Sequence, residues 1–169
     1  ICGNITVENF MNKKDVLELE NDQIKDVSAE ILDHMMYPRN YGKLEEAQGI
    51  GMCVDKKTGE FVMLYINVLN DNVNTIQFGA NACQDTIVAG SLFTEMVKGD
   101  TLKNAIRAAE LMDEKLEGAP KKQQACSRLV LRAFDAALIN RDNHNNGVDE
   151  EMTTIDLVQS CEIEDEVEK

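Results

Sequence analysis

Three cysteines that lie far apart in the chain are the residues best suited to chemistry. They are Cys53, Cys83 and Cys126, and Asp55 follows two residues after the first of them. Thiols so widely separated act together only if the fold brings them to one place. Three thiolates and one carboxylate in one place would supply four anionic ligands, enough for one zinc ion or for a two-iron cluster. The functional interpretation therefore depends on their convergence.

Each thiol also has its own local setting. Cys126 falls on an apolar helical stripe, where a buried free cysteine is common. Cys83 falls where a strand is expected to end and a helix to begin, and the unpaired N–H groups of a helix N-terminus favour a thiolate. Cys53 follows Gly49 and Gly51, which let the backbone bend or approach another group closely, so we expect this thiol to be exposed. The local settings alone are compatible with two interpretations: one metal or cluster site shared by the three cysteines, or three cysteines with unrelated roles.

Composition narrows the class of protein. A chain of 169 residues suits one domain with extensions. Five cysteines are an odd number without a dense framework, which favours a reducing compartment, so we expect a cytoplasmic protein. A net charge of −14 and the absence of tryptophan speak against nucleic acid as a partner.

The ends of the chain are expected to be extensions. No apolar run approaches the ~20 residues of a membrane span, and the start does not resemble a secretory signal, so we expect no membrane association. The chain begins at Ile1, and Met11 could be the native initiator, which would make residues 1–10 foreign. We divide it into an N-terminal extension (1–25), a domain (26–145) and a C-terminal tail (146–169). The tail holds nine acids against Lys169, which is typical of a solvated segment, and Cys2 and Cys161 are expected to be surface residues of the extensions.

The order of the expected elements indicates an α+β fold, with a three-stranded antiparallel sheet packed against a layer of helices. A strand ending near Val54, an apolar run at Phe61–Leu69 and an alternating run at 73–80 predict the sheet. Ser28 is expected to cap a helix that stops before Pro38. Later helices are predicted from apolar stripes. The first stripe is Val88, Leu92 and Met96, with Ala89, Phe93 and Val97 beside them; the second is Leu102, Ile106, Ala109, Met112 and Leu116; the third is Cys126, Val130, Ala133 and Ala137, with Leu129, Phe134 and Leu138 adjoining.

Four segments, in order, resemble the IscU/NifU-type iron–sulfur cluster assembly scaffold family (NifU N-terminal-like domain). The segment 31–44, ILDHMMYPRNYGKL, is similar to the opening signature, a helix ending in D-H followed by P-R-N and glycine. Cys53-Val54-Asp55 resembles the family's C-x-D, and the sequence from Ala82-Cys83 to Gly99 resembles its second-cysteine loop and following helix. Ala125-Cys126-Ser127 resembles the third-cysteine segment. The resemblance spans about residues 28–140.

The resemblance implies a function and a ligand set. Cys53, Asp55, Cys83 and Cys126 would be the cofactor-binding and metal-ligating residues. The protein would assemble a transient [2Fe–2S] cluster from iron and sulfur delivered by a cysteine desulfurase, and would pass it to recipient apo iron–sulfur proteins. It would act as a monomer or small homo-oligomer and would not be an enzyme. No nucleophile–His–Asp group, phosphate loop or H-E-x-x-H is visible, and His34 and His144 are the only histidines.

The chain departs from the family pattern at three places. Ala125 stands where many members have histidine, and His34 is expected to be structural rather than a substitute ligand. The chaperone-docking stretch L-P-P-V-K would fall at 119–123, where only Pro120 matches, so we expect no dependence on an Hsp70-type chaperone. Gln84 follows Cys83 where glycine is common.

Two other functions fit the same residues. Cys53, Asp55, Cys83 and Cys126 could hold tetrahedral zinc in a sulfur acceptor that activates a cysteine desulfurase. Relatives of that type carry a longer insertion between the second and third cysteines, so the spacing here favours the scaffold, although zinc could occupy the isolated protein. The third alternative is a degenerate member that only binds or regulates.

Overall fold

The described part of the chain has helices and strands in an α+β arrangement. The computed structural model describes the backbone of residues 21–157 and the side chains of residues 29–157. The expectations for residues 1–20 and 158–169, with Cys2 and Cys161, lie outside the described residues. In chain order the elements are α1 (Asn21–Met36), β1 (Gly49–Val54), β2 (Phe61–Leu69), β3 (Asn72–Asn81), α2 (Gln84–Val97), α3 (Leu102–Leu116), α4 (Lys121–Asn145) and β4 (Thr153–Asp156).

The sheet has the order β3-β2-β1-β4. The expected antiparallel meander is present, because β2 pairs antiparallel with both β1 and β3. However, β4 adds a parallel strand to the other edge of β1, with Ile155 opposite Cys53. The prediction of three antiparallel strands is therefore wrong in number and direction, because a segment of the expected acidic tail joins the sheet.

Polar contacts hold the segment that follows α4 against the sheet. Asn140 is fully buried; its side-chain oxygen accepts the Ile50 N–H at 2.9 Å, and its amide donates to the Glu150 carbonyl at 3.0 Å. The Lys56 ammonium pairs with the Asp156 carboxylate at 3.0 Å, and the Leu157 N–H donates to the Val54 carbonyl at 2.8 Å. These contacts hold β4 beside the end of β1 that carries Cys53.

Strand β1 lies unusually close to helix α4. A Cβ added to Gly49 would overlap the backbone carbonyl of Ala137, and one added to Gly51 would overlap the backbone of Ala133 and Ala137. Glycine is therefore needed at both positions so that the strand can touch the helix backbone. The expected close approach at these glycines is present.

The helices follow the predicted positions with shifts in their buried faces. Helix α1 begins at Asn21, ahead of Ser28, and ends before Pro38 as expected. In α2 the predicted residues Val88, Ala89, Phe93 and Val97 are buried, whereas Met96 is half exposed; Ile106 in α3 is also exposed. The stripes are therefore confirmed except at Met96 and Ile106, which lie at their edges. None of the helices in the described part combines the length and apolarity of a bilayer span.

His34 fastens α1 to α2. Its side chain is 1% exposed, with Nδ1 2.6 Å from the Ser91 hydroxyl and Nε2 3.0 Å from the Glu95 carboxylate. The same hydroxyl accepts the Arg39 backbone N–H at 2.7 Å, so its own proton is available to the imidazole. Because both ring nitrogens are engaged by α2, the geometry fits the structural role expected for His34.

The glycine contact with α4 gives a stability prediction. Gly51→Ala should lower the free energy of unfolding by about 1–3 kcal/mol, because the new methyl group would push the strand away from the helix backbone. Denaturant unfolding followed by circular dichroism would measure the change. Gly79→Ala is the matched control, since a Cβ there meets no atom within 4 Å. Equal stabilities of the two variants would contradict the described packing.

Candidate metal centre

Two of the three cysteines are in contact. Cys83 is the N-cap residue of α2, and Cys126 lies in the second turn of α4; their Sγ atoms are 3.5 Å apart. Two thiolates that bind one tetrahedral metal ion with bonds of about 2.3 Å lie about 3.8 Å apart. The separation of this thiol pair, Cys83 and Cys126, therefore suits two ligands of a single ion. The position of Cys83 at a strand-to-helix junction is as predicted.

Cys53 is fully buried, so its predicted exposure is wrong. The glycines that suggested an exposed strand end instead allow α4 to lie directly on β1, and the helix then covers the next residue on that face. Burial raises the pKa of the Cys53 thiol to about 12, and the positive charge of Arg132 opposes this only in part. The thiol is therefore protonated at neutral pH, and metal binding there would release a proton.

The register of β1 on α4 directs Cys53 and Asp55 toward Cys126. Gly49 faces Ala137 and Arg141, whereas Gly51 faces Ala133 and Ala137. A step of two residues along the strand thus corresponds to about four residues along the helix, because the rise per residue of a strand is about twice that of a helix. Continued along the same face, this progression takes Cys53 and then Asp55 back along α4 to the level of Cys126.

Asp55 also closes the turn between β1 and β2. Its Oδ1 accepts the Lys57 N–H at 2.9 Å, and its backbone exchanges hydrogen bonds with Gly59 and Glu60 at 2.8 Å. The side chain is buried at 2% exposure. These hydrogen bonds fix the position of the Asp55 carboxylate relative to the turn.

The four sequence-predicted residues converge only in part. Among residues 29–157, no three His, Cys, Asp or Glu side chains are grouped closely enough to hold a metal ion as they stand. Cys83 and Cys126 form one small buried cluster with Ala125, while Cys53 belongs to the main core. The donor types fit a thiolate-bound metal or cluster, but the described arrangement is a thiol pair with two more donors at the neighbouring strand end.

The thiol pair has one open side and one covered side. An open cavity of about 230 Å³ has Cys83 in its wall, together with Thr58, Gly59, Glu60, Asn81 and Ala82. Leu157, which directly follows β4, packs against the core that contains Cys53 and also against the cluster of Cys83, Ala125 and Cys126. The role of Leu157 was not predicted, because a single leucine in an acidic segment gives no indication of what it packs against. Arg132, whose charge acts on Cys53, was not predicted either.

The cover formed by Leu157 gives a prediction for the fully reduced protein. Leu157→Ala should speed alkylation of Cys83 and Cys126 by at least about threefold, because less apolar contact holds the end of β4 over the pair. Iodoacetamide labelling followed by peptide mass spectrometry would give the rate at each thiol. Val148→Ala, at an exposed side chain, is the control. Identical rates in both variants would show that Leu157 does not limit access.

Comparison with known proteins identifies relatives of this chain. Residues 26–147 match the NifU-like N terminal domain. An iron–sulfur cluster assembly scaffold protein named IscU from Archaeoglobus fulgidus is 32% identical over 143 residues, covering 84% of this chain and 89% of the relative. Another IscU scaffold protein, from Aquifex aeolicus, is 32% identical over 114 residues, covering 66% of this chain and 73% of the relative.

Solved structures share the fold. The N-terminal part of a nitrogen-fixing NifU-like protein from Brucella abortus superposes with a TM-score of 0.58 at 18% identity, covering 81% of this chain and 97% of that one. A SUF-system scaffold from Fervidobacterium islandicum gives a TM-score of 0.55 at 20% identity, covering 66% of this chain and 95% of that one. On the match over residues 26–147 and the identity with the Archaeoglobus relative, this chain belongs to the family of NifU-like N-terminal domains.

Proposed function

We propose that this protein is a scaffold that assembles a transient [2Fe–2S] cluster from iron and desulfurase-derived sulfur and transfers it to recipient apo-proteins. The observation that carries the proposal is the 3.5 Å separation of the Cys83 and Cys126 sulfurs. Cys53 lies on β1, which packs against the same helix, and Asp55 directly follows this strand. The relatives described as IscU scaffolds support the same function. The protein works as a carrier, not as an enzyme.

The four proposed ligands are Cys53, Asp55, Cys83 and Cys126. A [2Fe–2S] cluster needs four terminal ligands, two for each iron, and these residues supply them without the histidine that Ala125 replaces. Asp55 is a harder donor than the thiolates and binds iron more weakly. The bond between Asp55 and iron would therefore be the weakest of the four, which suits a cluster that must be released to another protein.

A cysteine desulfurase is the proposed sulfur donor, acting in a reducing compartment such as the cytoplasm. A donor group can approach Cys83 through the open cavity beside it. Leu157 packs against the cluster of Cys83, Ala125 and Cys126 and covers another side of the thiol pair. Cys83 is therefore the proposed first recipient of sulfur. The sequence at 119–123 argues against reliance on an Hsp70-type chaperone for release.

Reconstitution tests the ligand set. Incubation of the protein with ferrous iron, cysteine, a desulfurase and dithiothreitol, the reductant that converts persulfide sulfur to sulfide, under anaerobic conditions should give sulfide-to-iron charge-transfer absorption with about two irons and two sulfides per cluster. Cys53→Ser, Cys83→Ser and Cys126→Ser should each lose most of this absorption, because a hydroxyl is a poor substitute for a thiolate. Cys2→Ser and Cys161→Ser are the matched controls and should retain it.

Two results would contradict the scaffold proposal. One is a cluster that forms equally well in all five variants. The other is one equivalent of zinc that iron cannot replace, together with faster desulfurase turnover. That second result would favour a zinc-bound sulfur acceptor that activates the desulfurase.

Asp55 gives a prediction for transfer. Asp55→Ala should slow cluster release by about tenfold, since removing the weak oxygen ligand takes away the bond that breaks most easily. Transfer to an apo-ferredoxin, followed by absorption or circular dichroism, would measure the rate. Asp55→Asn is the informative control, because its side-chain oxygen can still accept the Lys57 N–H while the carboxylate charge is gone. Faster release in Asp55→Ala would contradict the assigned role.

A further inference from the structure

The imidazole of His144 lies between two backbone carbonyl groups from different parts of the chain. Its Nδ1 is 2.9 Å from the carbonyl oxygen of Gln48, the residue just ahead of β1. Its Nε2 contacts the carbonyl oxygen of Glu150, in the loop that leads into β4. His144 itself belongs to the last turn of α4. One side chain thus connects the end of a helix, the start of β1 and the loop before the edge strand.

The two contacts of His144 require a doubly protonated ring. A carbonyl oxygen only accepts hydrogen bonds, so a ring nitrogen that faces one must carry a proton to bond with it. Neutral imidazole has a single N–H and would therefore turn a nitrogen lone pair toward one of the two carbonyls. The imidazolium ion donates to both. The hydrogen bonds of this ring are complete only when it is charged.

The surroundings of the ring favour the charged form. Hydrogen bonds to the carbonyls of Gln48 and Glu150 raise the pKa of His144, and the negative charges of Asp149 and Glu150 raise it further. The C-terminal end of a helix also favours a positive charge. The loop and the end of α4 therefore act on the ring in the same direction.

The other charged groups around the ring do not compete for its proton. Hydrogen bonds from Thr153 and Asn140 hold the pKa of the Glu150 carboxyl below its ordinary range, so this group stays ionised while the ring titrates. Arg141, on the same helix, is directed to the Gln48 side chain, with its Nε 3.4 Å from Oε1. The remaining acids of the adjoining segments are exposed; they are Glu45, Glu46, Asp142 and Glu151.

The sign of the pH dependence follows from the direction of the shift. Folding raises the pKa of His144 above its ordinary value of 6.5. The two hydrogen bonds are therefore fully present below that pH, and one of them is lost as the pH rises through the higher value of the folded protein. Histidine is the side chain whose charge changes most readily in this range.

The segment that contacts His144 leads to the thiol pair. Strand β4 has four residues and lies at the edge of the sheet, where it pairs with β1. Leu157 follows it; its N–H donates to the Val54 carbonyl at 2.8 Å, and its side chain packs against the cluster that contains Cys83 and Cys126. A short edge strand opens locally more easily than the core, so a contact in the loop before β4 affects how firmly Leu157 is held.

We propose that His144 is a pH-dependent latch, which in its charged form holds the loop before β4 on the sheet and so keeps Leu157 over the thiol pair. When the ring loses a proton to water, one carbonyl contact is lost, β4 loosens, and Cys83 and Cys126 become more accessible. The latch does not need the scaffold function. A role for it in opening the cluster site rests on that proposed function.

Amide hydrogen exchange followed by NMR tests the latch in the full chain. The protection of the Leu157 N–H, corrected for the intrinsic exchange rate at each pH, should fall by about threefold or more, as expected for one lost hydrogen bond. The fall should coincide with the titration of the His144 ring protons in the same samples. The Phe78 N–H, which donates to the Asn40 carbonyl at 2.9 Å near the other edge of the sheet, should show no such change.

Substitution of the ring separates the latch from general effects of pH. His144→Gln does not titrate, so its Leu157 protection should be low at every pH. Asn145→Ala, at the neighbouring exposed position of α4, is the matched control and should follow the unaltered protein. Constant Leu157 protection in the unaltered protein, which needs no variant to fold, would overturn the latch. So would a fall in protection that persists in His144→Gln.

Alkylation rates of the fully reduced protein test the consequence for the thiol pair. The unaltered protein and His144→Gln are compared at the same pH, so that the thiolate fraction cancels in the ratio of their rates. Below the pKa of His144, Cys83 should react at least about twofold more slowly in the unaltered protein, and above it the two rates should agree. A ratio that does not change with pH would contradict control of the cover. Failed cluster reconstitution would instead overturn the scaffold function and leave both measurements of the latch intact.

Discussion

The contact between β1 and α4 is the constraint on which the rest of the structure depends. Gly49 and Gly51 let the strand lie against the helix backbone, and no larger residue could do so without moving the helix. This contact aligns the strand with the helix, so that Cys53 and Asp55 lie along the path toward Cys126. It also buries Cys53, which raises the pKa of its thiol to about 12 and keeps the thiol protonated at neutral pH.

The site combines donors of different character in a small space. The sulfurs of Cys83 and Cys126 are close enough to share one ion, while Cys53 and Asp55 stand back from them in the described arrangement. A site that is only partly assembled suits a function in which metal and sulfur arrive separately and leave together. Resident structural metal sites, by contrast, usually present all their ligands around the ion. The cavity at Cys83 and the cover at Leu157 give the pair two differently exposed sides.

The sequence predicted the α+β class, the antiparallel meander and the helix start at Cys83, because alternation, helical spacing and glycine placement are local signals. It did not predict β4, since Thr153–Asp156 is a short edge strand in an acidic segment, and its partner β1 lies about a hundred residues earlier. The burial of Cys53 was missed for a related reason: glycine allows both exposure and close packing, and only α4 decides between them.

X-ray absorption at the iron edge of the reconstituted protein tests the central claim most directly, that three thiolates and one carboxylate share a cluster. We predict iron–iron scattering and a first shell dominated by sulfur, with a minor oxygen contribution that Asp55→Ala changes and Cys2→Ser does not. A first shell made mainly of oxygen or nitrogen, or one unaffected by loss of Cys53, Cys83 or Cys126, would contradict the account.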